Sequence, residues 1–145
     1  MYDIAVIGAG ITGCSIAREL SRYNVRILLI EKNSDVADGT TKANSAIVHA
    51  GYDAKPGTLK ARFNVPGALM YEKLCSELDV HYKKTGSLVL AFSPEEMKTI
   101  QKLYDQGIAN GVPDMEIIGK DKVREIDGNL SEEVVGALYA RNAGI

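Results

Sequence analysis

The sequence predicts an α/β fold, with a parallel β-α-β unit at the front and the start of an α+β part on a mixed sheet behind it. Three observations carry that prediction. A short apolar run closes on glycine and is followed by helical spacing and a second β-branched run. After residue 86, aliphatic runs alternate with a capped helical stretch. Only two parallel strands can be placed at the front, fewer than a doubly wound sheet needs.

Residues 2–7 form an apolar run ending at Gly8, the pattern of a buried parallel strand. Helical spacing follows, with Ile16 and Leu20 one turn apart and Cys14 and Ala17 on the adjoining face. Residues 25–30 supply the second strand. "NSDVADGTTKANS" then stands where an ordinary doubly wound domain would begin another crossover helix, but it is polar and rich in small residues. Over residues 58–78, Leu59, Phe63, Met70, Leu74 and Leu78 recur at near-helical spacing. Pro66 interrupts this run; it lacks an amide hydrogen and disfavours a helical Val65, so a kink or two abutting helices is expected.

"GSLVLAF" (86–92) reads as a strand. "SPEE" (93–96) has the form of a capping box with proline at the first helical position, and "NG" at Asn110 and Gly111 ends the helix it starts. "MEIIG" and "VVGALYA" read as two more strands around a short helix at 121–126. The run stops at Gly144 and Ile145 just past a strand, so the N-terminal part of a longer protein is expected, with residues 1–79 in one domain and 80–145 beginning another.

A length of 145 residues and a formal net charge of −2, with Lys and Arg scattered, point away from nucleic-acid binding. Cys14 and Cys75 are far apart and lack metal-ligand spacing, which suits a reducing compartment and argues against a metal site. No apolar segment reaches membrane-spanning length and "MYDIAVIG" lacks the basic start of a signal peptide, so a cytoplasmic location is expected.

"GAGITG" (8–13) has G-x-G-x-x-G spacing in the context that gives it meaning, between a strand and a helix. Gly8 permits the tight turn, Gly10 lets a pyrophosphate approach the backbone, and Gly13 lets the helix pack on the sheet. The exposed amides and the helix dipole favour a doubly negative bridge. Glu31, ending the second strand, is placed to accept from an adenosine ribose and would repel a 2′-phosphate, which disfavours NADP.

The stretch beyond Glu31 bears on which dinucleotide. "GTTKANSAIVHAGYDAKPGTLKA" (39–61) resembles the second signature of flavoproteins of the D-amino-acid oxidase superfamily, which have the glutathione-reductase-type FAD fold. "NSAIVHAGYDAKPGTLKA" is more closely similar to FAD-dependent glycerol-3-phosphate dehydrogenases of the anaerobic bacterial type and to L-2-hydroxyglutarate oxidases. The resemblance runs from "YDIAVIGAG" to "GALYARNAGI" and covers only the front portion of such enzymes. Pro66 departs from it, where relatives carry an ordinary helix former; this bears on the local helix and not on the cofactor.

The resemblance implies FAD. Gly8, Ala9, Gly10, Ile11, Thr12 and Gly13 would line its pyrophosphate, and Glu31, with Lys32 beside it, would take the adenosine ribose. Thr40, Thr41, Asn44 and Ser45 would contact phosphates or the ribityl chain, although these residue types are common in solvated loops as well. Ala46, Ile47, Val48 and His49 would pass the flavin ring. His49 is the one titratable group in the "NSAIVHAG" core of the signature, and either takes a substrate proton or serves as a structural or cofactor contact. His81 reads as a partly exposed strand residue, and Cys14 as a small apolar group packed on the sheet. Tyr52 and Lys55 are either active-site or ordinary surface residues.

The expected function is oxidation of a secondary alcohol in a small anionic 2-hydroxy or phosphorylated metabolite, glycerol 3-phosphate first and L-2-hydroxyglutarate second. An amine oxidase of the same superfamily comes third, and a truncated, non-catalytic nucleotide-binding fragment is the alternative from another class. Electrons would leave to a quinone, a redox protein or oxygen; a quinone would bring contact with a membrane surface.

Overall fold

Two backbone ladders organise the chain, one parallel and one antiparallel. The computed structural model describes all of residues 1–145 and divides them into two compact units, Met1–Ser45 and Ala46–Ile145. The division between the compact units falls after Ser45, ahead of the domain boundary expected after residue 79.

In the first unit, β1 (Ile4–Ile7) pairs in parallel with β2 (Ile27–Ile30), in register from Ile4 opposite Ile27 to Ile7 opposite Ile30. Parallel neighbours need a crossover, and α1 (Ile11–Leu20) supplies it. The ladder is shorter than the apolar runs because Asp3 closes its start: the Asp3 and Ile4 amides share the Arg26 carbonyl, while the Asp3 carboxylate accepts from the Arg26 amide and guanidinium. Gly13 is the buried residue of α1, whereas Ile16 is 47% exposed. Cys14 is partly buried and its thiol donates to the Ala9 carbonyl. No second crossover helix follows β2; residues 34–45 make turns and return to the first loop, where the Ala37 amide donates to the Ala9 carbonyl at 2.9 Å.

The second unit holds α2 (Leu59–Leu78), β3 (Ser87–Ala91), α3 (Pro94–Ala109), β4 (Met115–Gly119), α4 (Lys120–Ile126) and β5 (Gly136–Ala140). Its three strands pair antiparallel in the order β3-β5-β4, so β5 is central. Strand alternation sends β5 side chains to opposite faces. Leu138 and Ala140 join Ala91, Ile100, Met115 and Val65 in one core, while Ala137 meets Ile118, Val123 and Val134 in the other. Leu138 is fully buried, and such burial stabilises by about 2 kcal/mol.

Pro66 does not divide its helix. α2 runs through it as one helix of 20 residues, with Val65 helical and buried, and not as a pair of abutting helices. Pro66 sits on the exposed side, where the loss of its amide bond is met by solvent, while Ala61, Val65 and Cys75 hold the buried side against the unit. The larger apolar residues Leu59, Phe63 and Met70 lie outward, each more than 60% exposed. No helix of the chain is long and apolar enough to cross a membrane.

The capping box ahead of α3 forms with a shift of one residue. The Ser93 hydroxyl accepts from the Glu96 amide at 3.2 Å, but the Glu96 carboxylate reaches the amide of Phe92, at 2.7 Å, rather than that of the cap itself. Ser93→Ala is expected to lower the unfolding free energy of this unit by about 1 kcal/mol. Denaturant unfolding followed by circular dichroism measures it, and an unchanged midpoint would show that the cap is idle.

Candidate functional site

In the first unit, the turn from β1 to α1 brings backbone into bare contact. Gly8 has φ +97°, a conformation that side chains other than glycine rarely adopt, and its amide extends the parallel ladder by donating to the Ile30 carbonyl at 2.7 Å. A β carbon placed on Gly13 would lie 1.8 Å from the Gly8 carbonyl oxygen, so only glycine allows the helix to sit where it does. A β carbon on Gly10 would meet the Thr41 hydroxyl at 3.2 Å.

The N-terminus of α1 suits an anion. Its N-cap, Gly10, offers no side-chain cap, and the first turn carries no acid. Thr41 comes back from the second loop to this end, its hydroxyl accepting from the Ile11 amide at 3.0 Å. The Asn44 side chain donates to the Thr41 carbonyl and steadies that return. Thr12, Lys32, Thr40 and Ser45 are exposed. The glycine loop, Thr41 and Glu31 are therefore brought together, while Thr40, Asn44 and Ser45 lie on the exposed limb of the second loop.

Glu31 does face the glycine loop. One carboxylate oxygen accepts from the Ala9 amide at 2.8 Å, and the other from the amides of Lys32 at 2.8 Å and Asn33 at 3.0 Å. The Asn33 amide bond, then the Ala9 bond, hold its carboxyl below the usual range. A carboxylate has about four acceptor positions. Three are engaged here, so Glu31 fixes the loop and keeps room for a further donor such as a sugar hydroxyl. Bare backbone, a helix end whose N-cap is glycine and a correctly turned acid together fit a dinucleotide of the FAD kind.

Ala46, Ile47, Val48 and His49 open the second unit, with Ala46 in the left-handed region at φ +56°. Val48 forms an antiparallel bridge with Gly144, through bonds of 2.8 and 3.1 Å. The His49 imidazole is exposed, while the backbone beyond it is deeply set, Ala50 at 2% and Ala54 at 1% exposure. Asp53 pairs with Lys60 at 2.9 Å. That hydrogen bond is the main cause of its lowered carboxyl pKa, with the charge of nearby His49 contributing in the same direction.

Tyr52 is half-buried and packs against the cluster around Leu138. Lys55 is exposed, and His81 is exposed outside any strand.

The sequence reading missed three carboxamides that grip this segment. Asn64 donates to the His49 carbonyl at 2.9 Å, Gln106 to that of Tyr52 at 2.8 Å, and Asn110 to those of Gly51 at 3.0 Å and Ala54 at 2.6 Å. Asn110 was legible only as half of a helix-stopping "NG"; nothing local in the sequence signals its reach across more than 50 residues.

The profile of the FAD dependent oxidoreductase family, DAO, matches residues 3–145. Among curated proteins, the chain is 62% identical to the glycerol 3-phosphate dehydrogenase of Caloramator mitchellensis over 145 residues, covering 100% of this chain and 30% of that protein. It is 33% identical to the mitochondrial L-2-hydroxyglutarate dehydrogenase of Dictyostelium discoideum over 148 residues, 100% of this chain and 33% of that one. Among solved structures, dithionite-reduced L-alpha-glycerophosphate oxidase from Mycoplasma pneumoniae with FAD bound superposes with a TM-score of 0.87 at 28% identity, over 99% of this chain and 38% of that one. The chain thus spans about a third of the length of these relatives.

Because the folded Glu31 has the lower pKa, its contribution is present above its ordinary value of 4.5 and is lost as pH falls through the lower folded value. Hydrogen-exchange protection at the Ala9, Lys32 and Asn33 amides is expected to drop below pH 4.5. Glu31→Gln is expected to lower that protection at neutral pH and to remove its acid dependence. Protection that ignores both acid and the substitution would mean that the carboxylate does not hold the loop.

Proposed function

The chain belongs to the FAD-dependent oxidoreductase family, and on that footing we propose that it is the N-terminal part of a glycerol-3-phosphate dehydrogenase-like enzyme. The observation that carries the choice of substrate is the 62% identity, along the whole chain, with a protein of that name. Residues 1–79 are assigned to the front of the FAD-binding domain and 80–145 to the beginning of the substrate domain.

FAD, when bound, supplies the acceptor for the hydride that leaves the carbinol carbon. The residues of this chain do the holding. Gly8, Ala9, Gly10, Ile11, Thr12 and Gly13 offer backbone and the positive end of α1 to the pyrophosphate. Glu31, beside Lys32, accepts from the adenosine ribose. Thr40, Thr41, Asn44 and Ser45 serve the phosphates or the ribityl chain, and Ala46, Ile47 and Val48 run beside the isoalloxazine. His49 takes the hydroxyl proton of the substrate on its imidazole.

The substrate is a small anionic alcohol, and the electron acceptor is a quinone, a redox protein or oxygen. The location is cytoplasmic, reaching the membrane surface where a quinone is the acceptor. L-2-hydroxyglutarate is the second substrate reading, favoured by the 33% identity over the full chain with its dehydrogenase.

Purified chain mixed with FAD is expected to show protein-bound flavin bands in the visible spectrum, and Gly13→Ala is expected to abolish them. A colourless chain that stays so would favour the non-catalytic fragment. In the complete enzyme with a dye acceptor, kcat/KM for glycerol 3-phosphate is expected to exceed that for L-2-hydroxyglutarate. There His49→Ala should lower kcat by about 10²–10⁴-fold; an unchanged kcat removes His49 from proton transfer.

A further inference from the structure

We propose that Asn110, with Gln106 and Asn64, is a positioning residue that sets the place of His49. This rests on the reading of His49 as a proton acceptor for its functional meaning, though not for its geometry. Residues 48–54 have no ladder of their own apart from the single bridge at Val48, so their carbonyls need partners from elsewhere. Five of the seven have one: Val48 from the Gly144 amide, His49 from Asn64, Tyr52 from Gln106, and Gly51 and Ala54 from Asn110. The donors come from α2, from the end of α3 and from the stretch beyond β5.

Asn110 has the largest share. Its single NH2 group spans two carbonyls three residues apart, which fixes the curvature of the turn as well as its place. The fit behind it leaves little slack. Gly51 has φ +109°, and a β carbon there would lie 2.7 Å from Val65. One on Gly107, a turn before the clamp, would lie 3.0 Å from the Tyr52 β carbon. The result is an irregular segment, most of whose carbonyls are held by other elements, that presents an exposed His49. A loop that merely connected β2 to α2 would not need this many long-range donors. Holding a reacting group to within a fraction of an ångström does need them.

The charged groups facing His49 on its own segment are Asp53 and, through it, Lys60. The test is nuclear magnetic resonance of this chain. It compares wild type with Asn110→Ala and with Asn110→Asp, which keeps the shape and loses the donor. Both variants are expected to shift the His49 ring resonances. Amide protection at residues 49–54 should fall about ten- to a hundredfold, for the loss of the two Asn110 hydrogen bonds, while protection in β5 stays near wild type. Unchanged His49 resonances in both variants, or an equal loss of protection in β5, would overturn the proposal. Should the Asn110 variants not fold, Asn64→Ala removes only the bond to the His49 carbonyl and is read by the same two criteria. Adding FAD and glycerol 3-phosphate to the wild-type chain tests the other reading: silent His49 resonances count against His49 as a substrate group while leaving the clamp result intact.

Discussion

A hydrogen atom in place of a methyl group at Gly13 decides the geometry of the first unit. With 1.8 Å between the Gly8 oxygen and any β carbon at Gly13, no other residue lets α1 start so close to the end of β1. That contact aims the helix N-terminus at the turn, where Gly10 lies beside the Thr41 hydroxyl with no side chain of its own. It also brings Ala9 within reach of Glu31, just past the end of β2. The strand order, the loop and the acid are thus one construction. The acid is doubly used, since the same carboxylate that fits a sugar also braces the loop that would carry the phosphates.

The second unit solves a different problem. Its antiparallel sheet has a helix against each face, and the paired cores divide along the alternation of β5. Around this frame the His49 segment is attached by side chains instead of by ladder bonds. Rigid elements hold an irregular stretch, a common way for a scaffold to present a reactive group.

Much of this was legible in the residues, because the informative signals were local. The glycine spacing, the acid at the end of β2, the Ser93 cap and the stop at Asn110 and Gly111 each act within a few positions. The failures have a common cause in tertiary context. Pro66 suggested a break, but an exposed position makes one missing amide bond tolerable. The spacing of Leu59, Phe63 and Met70 marked a helix but not its buried side, which the smaller Ala61, Val65 and Cys75 supply. Tyr52, open in the sequence between a site and a surface position, is half-buried against the core cluster. The Asn64, Gln106 and Asn110 clamps leave no pattern at all, since carboxamides are ordinary on helices and only the folded distance gives them a task.

The position of β5 between β3 and β4 sets an order on how the second unit is made. Its residues, Gly136–Ala140, are synthesised after both of the strands they join. Until they leave the ribosome, the two earlier strands have no native neighbour and their backbone edges stay open to wrong pairing. Val48 waits longer still, as its bridging partner is Gly144. Within this unit, native strand pairing therefore waits for β5, and the bridge that fixes Val48 waits for Gly144.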